Sequence, residues 1–184
     1  MRFPGTTLLL TIALAASTSV AEQAPQKVHT MATSVLPKLA AAPAIISAIK
    51  AQNAQNLTLD EIKQRDTKWR ATPGYDDFMK ALQNSACSKH LQTIQKDNPS
   101  IAEVFVMDNK GANVAMADKT SDYWQGDEDK FKKAFADAKG ALFVDEVEFD
   151  DSTQRYLVQV SLPIKEGAQV IGTITFGIDI DALN

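Results

Sequence analysis

Between Thr120 and Phe131 the chain reads TSDYWQGDEDKF, which gathers a Tyr, a Trp and four acidic residues into twelve positions. These residue types can hold a small polar molecule. A Tyr hydroxyl or an indole N–H donates to a carboxylate, and an aromatic face or a carboxylate holds a cation. Tyr123, Trp124 and Asp127 are therefore candidate ligand contacts. Each also has a plain structural use. The two rings can seal the edge of a sheet, each burying roughly 150–250 Å². Asp127 can cap the helix that follows, where the dipole favours negative charge.

Catalytic patterns are scarce. Cys87, His29 and His90 are the only cysteine and histidines, and no nucleophile elbow accompanies them. Asp145 and Glu146 are neighbours, so on a strand they face opposite ways. Gly111, Gly126 and Gly140 are isolated and build no phosphate loop. Cys87 and His90 have the i, i+3 spacing of two metal ligands, but two are too few for a closed site. No metal and no cofactor is expected, and a single cysteine has no partner for an internal disulfide. Cys87 shares a helical side with Leu91 and Ile94 and reads as a buried, inert thiol. The net charge of −4 argues against a nucleic-acid surface. The densest basic run, Lys130, Lys132 and Lys133, lies beside Asp127, Glu128 and Asp129 and reads as a solvated helix face.

The elements that must position these residues can be read in order. Arg2, the apolar run from Leu8 to Ala16 and the small residues of Ser19-Val20-Ala21 have the form of a signal peptide over residues 1–21. Cleavage after Ala21 would leave a soluble, exported (periplasmic or secreted) domain over residues 22–184. Its helical part spans residues 22–97 and its sheet part residues 98–184. From Gln26 to Ala54 apolar residues recur at helical spacing, with breaks expected near Pro37 and Pro43. Thr58 with Glu61 forms a capping box before a helix that runs to about Trp69. A further helix is expected over 76–96. The period then changes to strand, turn and strand in IAEVFVMDNKGANVAMAD, with Gly111 in the turn. A short helix over 127–139 follows, then strands over 141–149, 154–163 and 169–179. Hairpin-length links imply an antiparallel sheet and an α+β fold.

On the last strands one side is apolar and the other is mixed. Ile174, Phe176 and Ile178 point one way, and Thr173, Thr175, Gly177 and Asp179 the other. Arg155, Leu157, Gln159 and Ser161 alternate likewise with Tyr156, Val158, Val160 and Leu162. The loop from the second strand should cross the mixed face, with Tyr123, Trp124 and Asp127 as lid and Arg155, Gln159, Thr173, Thr175 and Asp179 as floor. Asp179 can equally be an exposed strand end, and Arg155 can clamp a carboxylate or pair with Asp150 or Asp151. Acidic lid groups with few cations favour a ligand that bears an amine.

The segments VFVMDNKGANVA, SDYWQGDEDKF, EVEFDDSTQRYLVQVSLPI and VIGTITFGIDID together resemble the Cache family of extracytoplasmic PAS-like sensor domains, over about Gln26 to Leu183. The resemblance implies a five-stranded antiparallel sheet with long N-terminal helices on one face. A short helix lies between strands two and three, above a small-molecule site. It implies a ligand such as an amino acid, amine or carboxylate, and a membrane receptor or sensor kinase as partner. In amino-acid-binding members, aromatic and Arg side chains of that loop hold the carboxylate and acidic residues the ammonium. Tyr123, Trp124, Asp127 and Asp179 fall at matching places, although no Arg lies between Gly111 and Gly140. The expected function is small-metabolite binding and signalling. The alternatives are a ligand-free scaffold that acts through protein contacts and an unrecognised hydrolase. A homodimer through the N-terminal helices is a further expectation.

Overall fold

A computed structural model describes residues 22–151 and 153–183. The expected leader, residues 1–21, lies outside the described residues. The fold is α+β, with five antiparallel strands: β1 (Ile101–Met107), β2 (Asn113–Met116), β3 (Phe143–Asp150), β4 (Arg155–Glu166) and β5 (Gln169–Asp179). Their order is β2-β1-β5-β4-β3, so the last strand lies in the middle, paired on both sides. The alternation read from the sequence matches the two faces. One carries Val104, Val106, Val158, Val160, Ile174 and Phe176, all in a single buried cluster.

That face is covered by α1 (Gln26–Ser34), α2 (Leu36–Ala40), α3 (Pro43–Asn53) and α6 (Ala86–Asp97), through Val28, Ala32, Leu36, Ile45, Ile49, Leu91 and Ile94. The two prolines break the first helical run as expected. Pro37 sits in the first turn of α2 and Pro43 opens α3, positions where the missing N–H costs nothing. Cys87 is buried in the same cluster, and burial pushes its thiol up to about 11. No single helix among the described residues is long and apolar enough to cross a membrane.

A second cluster lies on the opposite face. There α4 (Leu59–Ala71) and α5 (Asp77–Gln83) bring Ile62, Trp69 and Met79 against Phe105, Met107, Met116 and Tyr123. The N-terminal half thus supplies cover to both sides of the sheet. The capping box that starts α4 is complete: Glu61 N–H donates to Thr58 Oγ1 at 3.2 Å, and Thr58 N–H to Glu61 Oε2 at 2.7 Å.

Two helix boundaries differ from expectation. The run over 76–96 divides at Asn84 and Ser85, because Ser85 accepts from Ser88 N–H at 3.1 Å and starts a new helix. The helix expected over 127–139 is shorter, α7 (Asp129–Phe135). It stops where Ala136, Asp137 and Ala138 turn left-handed, and Gly140 N–H donates back to Phe135 O at 3.1 Å. Glu128 occupies its N-cap position with no side-chain bond, so Asp127 does not cap it.

Because the capping box fixes the start of α4, Thr58→Ala should lower stability by about 1 kcal/mol in urea denaturation, and Thr58→Ser should restore most of it.

Candidate functional site

The loop after β2 docks on the residues that lead into that strand. Asn113 N–H donates to Tyr123 O at 2.9 Å and Gln125 N–H to Gly111 O at 2.8 Å, with an antiparallel bridge between Ala112 and Trp124. Two glycines permit this approach. Gly111 has φ +81°, and a Cβ there would lie 2.4 Å from Gly126 Cα. A Cβ on Gly126 would lie 2.3 Å from Trp124 Nε1. From the other side the buried carboxylate of Asp66, on α4, holds the loop. Its Oδ1 accepts from Tyr123 N–H at 2.9 Å and Trp124 N–H at 3.1 Å, and its Oδ2 meets Arg70 at 3.1 Å.

This docking leaves a cleft of about 490 Å³ on the mixed face. Its walls are Thr120, Ser121 and Gln125 from the loop, Lys130 from α7 and Phe149, Asp150 and Asp151 from the end of β3. Glu103 and Gln159 come from the sheet. Register puts Glu103 and Gln159 on either side of Gly177. Gly177 has no side chain, and a Cβ there would lie 3.0 Å from Glu103 Cβ. The dip lets Gln159 Nε2 donate to Glu103 Oε2 at 3.4 Å.

The charges in this cleft are unusually confined. The Lys130 side chain is 13% exposed, lies 5.6 Å from the Phe105 ring centroid and meets Glu128 at 2.7 Å. Burial pushes the Glu103 carboxyl up to about 7, against the pull of Lys130 and with a further push from Asp150. Gln125 is buried. Its Nε2 donates to Asp122 O at 2.9 Å, but its Oε1 has no partner among the described residues. A buried acceptor without a donor carries a desolvation cost.

The eight candidate residues do not converge on one pocket. Gln159 lines the sheet cleft. Trp124 and Asp127 line a different cleft of about 430 Å³, together with Lys63, Asp66 and Arg70. There the Trp124 ring faces Lys63 Nζ at 4.6 Å, and its indole N–H donates to Lys110 O at 2.8 Å. Tyr123 is fully buried between Trp69 and Phe78, and its hydroxyl accepts from Gln52 Nε2 at 3.0 Å. Thr173 and Thr175 are buried in the sheet, and Thr175 and Ser161 share a hydrogen bond of 2.8 Å.

Arg155 pairs with Asp179, at 2.8 Å. Asp179 is buried rather than exposed, and it also accepts from Asp181 N–H at 3.0 Å.

Asp66 holds Tyr123 and Trp124 against α4, so these two side chains stand away from the sheet cleft that Thr120, Ser121 and Gln125 of the same loop line. Sequence reading missed Glu103, Gln125 and Lys130. Glu103 had a signal, as a carboxylate inside the apolar run IAEVFVM. Lys130 was expected on a solvated face, whereas its two neighbours in the basic run, Lys132 and Lys133, are the exposed ones, each paired with Asp129.

No family model matches the chain, and no curated protein does. Solved structures do. The extracellular domain of vpHK1S-Z8, described as a histidine kinase, superposes with a TM-score of 0.50 at 10% identity, over 86% of this chain and 53% of that one. The fold is Cache-like. Two weaker similarities are to the ligand-binding domains of a Pseudomonas aeruginosa amino-acid chemoreceptor, PctC, and of the Campylobacter jejuni chemoreceptor Tlp3. The first, in complex with GABA, gives TM-score 0.42, 17% identity and 76% and 59% coverage of this chain and that one. The second, in complex with 4-methylisoleucine, gives TM-score 0.41, 12% identity and 82% and 62% coverage. The chain thus spans 53–62% of the length of these three structures.

Two stability measurements check this geometry. Asp66→Ala should cost about 2–3 kcal/mol, since it strands two loop N–H groups. The Glu103 carboxyl is raised in the fold, so its protonated form is the favoured one. The stability it contributes is complete below the unfolded value of 4.5 and is lost as pH rises through about 7. Glu103→Gln should therefore raise Tm relative to the parent at about pH 8 and leave it nearly unchanged at about pH 4, read by thermal unfolding.

Proposed function

We propose that this chain is an extracytoplasmic sensor module that binds a small ammonium-bearing metabolite, an amino acid foremost, in the sheet cleft. A single observation carries the reading. One cleft of about 490 Å³ combines a confined cation, Lys130, with a confined carboxylate, Glu103. Its size suits a small metabolite.

The ligand ammonium would lie towards Glu103, Asp150 and Asp151, and its carboxylate towards the loop hydroxyls and Lys130, which it would share with Glu128. Three carboxylates against one lysine on the cleft walls disfavour a dianion. Phe149, half exposed, offers apolar surface at the rim. The role of these side chains is to bind and orient, so the reading is of a receptor rather than an enzyme. The bound state would be passed to a membrane signalling partner, a receptor or kinase, and the placement outside the cytoplasm follows the leader expected over residues 1–21.

Calorimetry with a panel of amino acids, amines and small carboxylates tests this reading. An amino acid should bind at about pH 8, and Lys130→Gln and Glu103→Gln should each weaken it by about tenfold or more. Trp124→Ala, outside the cleft, should bind as the parent does. Affinity should fall as pH drops below about 7, where Glu103 gains its proton and loses its charge. If no member of the panel binds, or if both cleft variants bind like the parent, the proposal fails.

A further inference from the structure

A third cleft, of about 430 Å³, lies between α4 and α5 and shares no lining residue with the sheet cleft or with the cleft beside Trp124. Its walls are apolar at the base and cationic at the rim. Trp69 and Phe78 meet edge to face, with centroids 6.3 Å apart, and Met79 adjoins them. Phe78 is 38% exposed although its ring meets both Trp69 and Tyr123 edge to face. Two cations stand above this base. Lys68 is largely neutralised by Asp76 at 3.2 Å. Arg65 is different.

Arg65 is half-buried, and its guanidinium carbon sits 5.5 Å from the Phe78 ring centroid. It forms no ion pair among the described residues. Glu61, one turn before it, is held by Thr58 in the capping box and attracts Arg65 only from beyond ion-pair distance, while the Tyr123 hydroxyl also draws on the guanidinium. With Lys68 and Asp76 cancelling, the cleft keeps one net positive charge over an aromatic base. A guanidinium offers a planar pair of donors that matches a carboxylate. We infer that this cleft is a second ligand site, for a small organic monoanion with an apolar body, an aryl or alkyl carboxylate.

The arrangement assigns the two parts of such a ligand. The carboxylate would take the Arg65 guanidinium, and the ring or alkyl chain would cover the exposed part of Phe78 beside Met79. A neutral ligand would leave Arg65 without a counter-charge, and a dianion would bring its second charge against Asp76.

Phenylacetate is the probe, with phenylacetamide as its neutral counterpart. In calorimetry phenylacetate should bind saturably with one site, and phenylacetamide about tenfold more weakly or worse. Arg65→Gln and Phe78→Leu should each reduce affinity by about tenfold, while Lys130→Gln in the sheet cleft should leave it unchanged. In NMR of the unmodified protein the Trp69 indole N–H signal should move on titration, and the Trp124 signal should stay. That measurement needs no variant to fold. The inference is overturned if phenylacetate gives no saturable binding up to about 10 mM. It is equally overturned if Arg65→Gln binds like the parent, if Lys130→Gln abolishes binding, or if Trp124 moves and Trp69 does not. Failure here with intact amino-acid binding in the sheet cleft would leave the sensor reading standing.

Discussion

The carboxylate of Asp66 is the interaction on which the rest of the site depends. It is buried, carries a formal charge and is fully employed. Two consecutive loop N–H groups donate to one oxygen, and Arg70 meets the other. Charge-assisted bonds of this kind are roughly twice as strong as neutral ones, and leaving a buried carboxylate unpaired costs more than either bond contributes. The loop therefore cannot leave α4 without exposing the protein to that cost. Where the loop goes, Tyr123 goes with it, into the stack with Trp69 and Phe78.

That anchoring divides the mixed face of the sheet in two. Above β1 and β2 the face is sealed by apolar and aromatic packing: Phe105, Met107 and Met116 lie under Ile62, Trp69 and Tyr123. Towards β4 and β3 the cover thins, and the side chains beneath are polar. Gly177 deepens this part because it removes the one side chain that would stand between Glu103 and Gln159. The same strand, β5, thus supplies Phe176 to the core on one side and a depression in the floor on the other.

The charge pattern separates structural groups from available ones. Arg155 and Asp179 neutralise each other at the strand ends, and Thr175 and Ser161 satisfy each other inside the sheet. These groups looked functional as residue types, but each is already held by a partner. Glu103 and Gln125 are the reverse. Glu103 has a single long bond from Gln159, and a carbonyl oxygen of Gln125 lacks a donor. Incomplete bonding, rather than residue type, is what separates the proposed binding wall from the rest of this face.

The sequence by itself determined the elements and their order. Thr58 and Glu61, three apart, wrote the capping box. Pro37 and Pro43 wrote two breaks, and the alternation in VIGTITFGIDI wrote a strand with one apolar face. All of these are local, set by a period or a cap within a few residues, so they are legible without the fold. The α5–α6 break was also local, in Ser85, but it was masked by a continuous apolar stripe. Tertiary structure alone decided the site. The Asp66 bonds span 57 and 58 residues, and the Glu103 bond to Gln159 spans 56. No periodicity records such partners. The cluster DYWQGDE drew the eye through its residue types, yet its rings pack and its glycine permits close approach. The cleft took its polar groups from a strand, a helix and a hairpin that meet only because the sheet places β5 between β1 and β4.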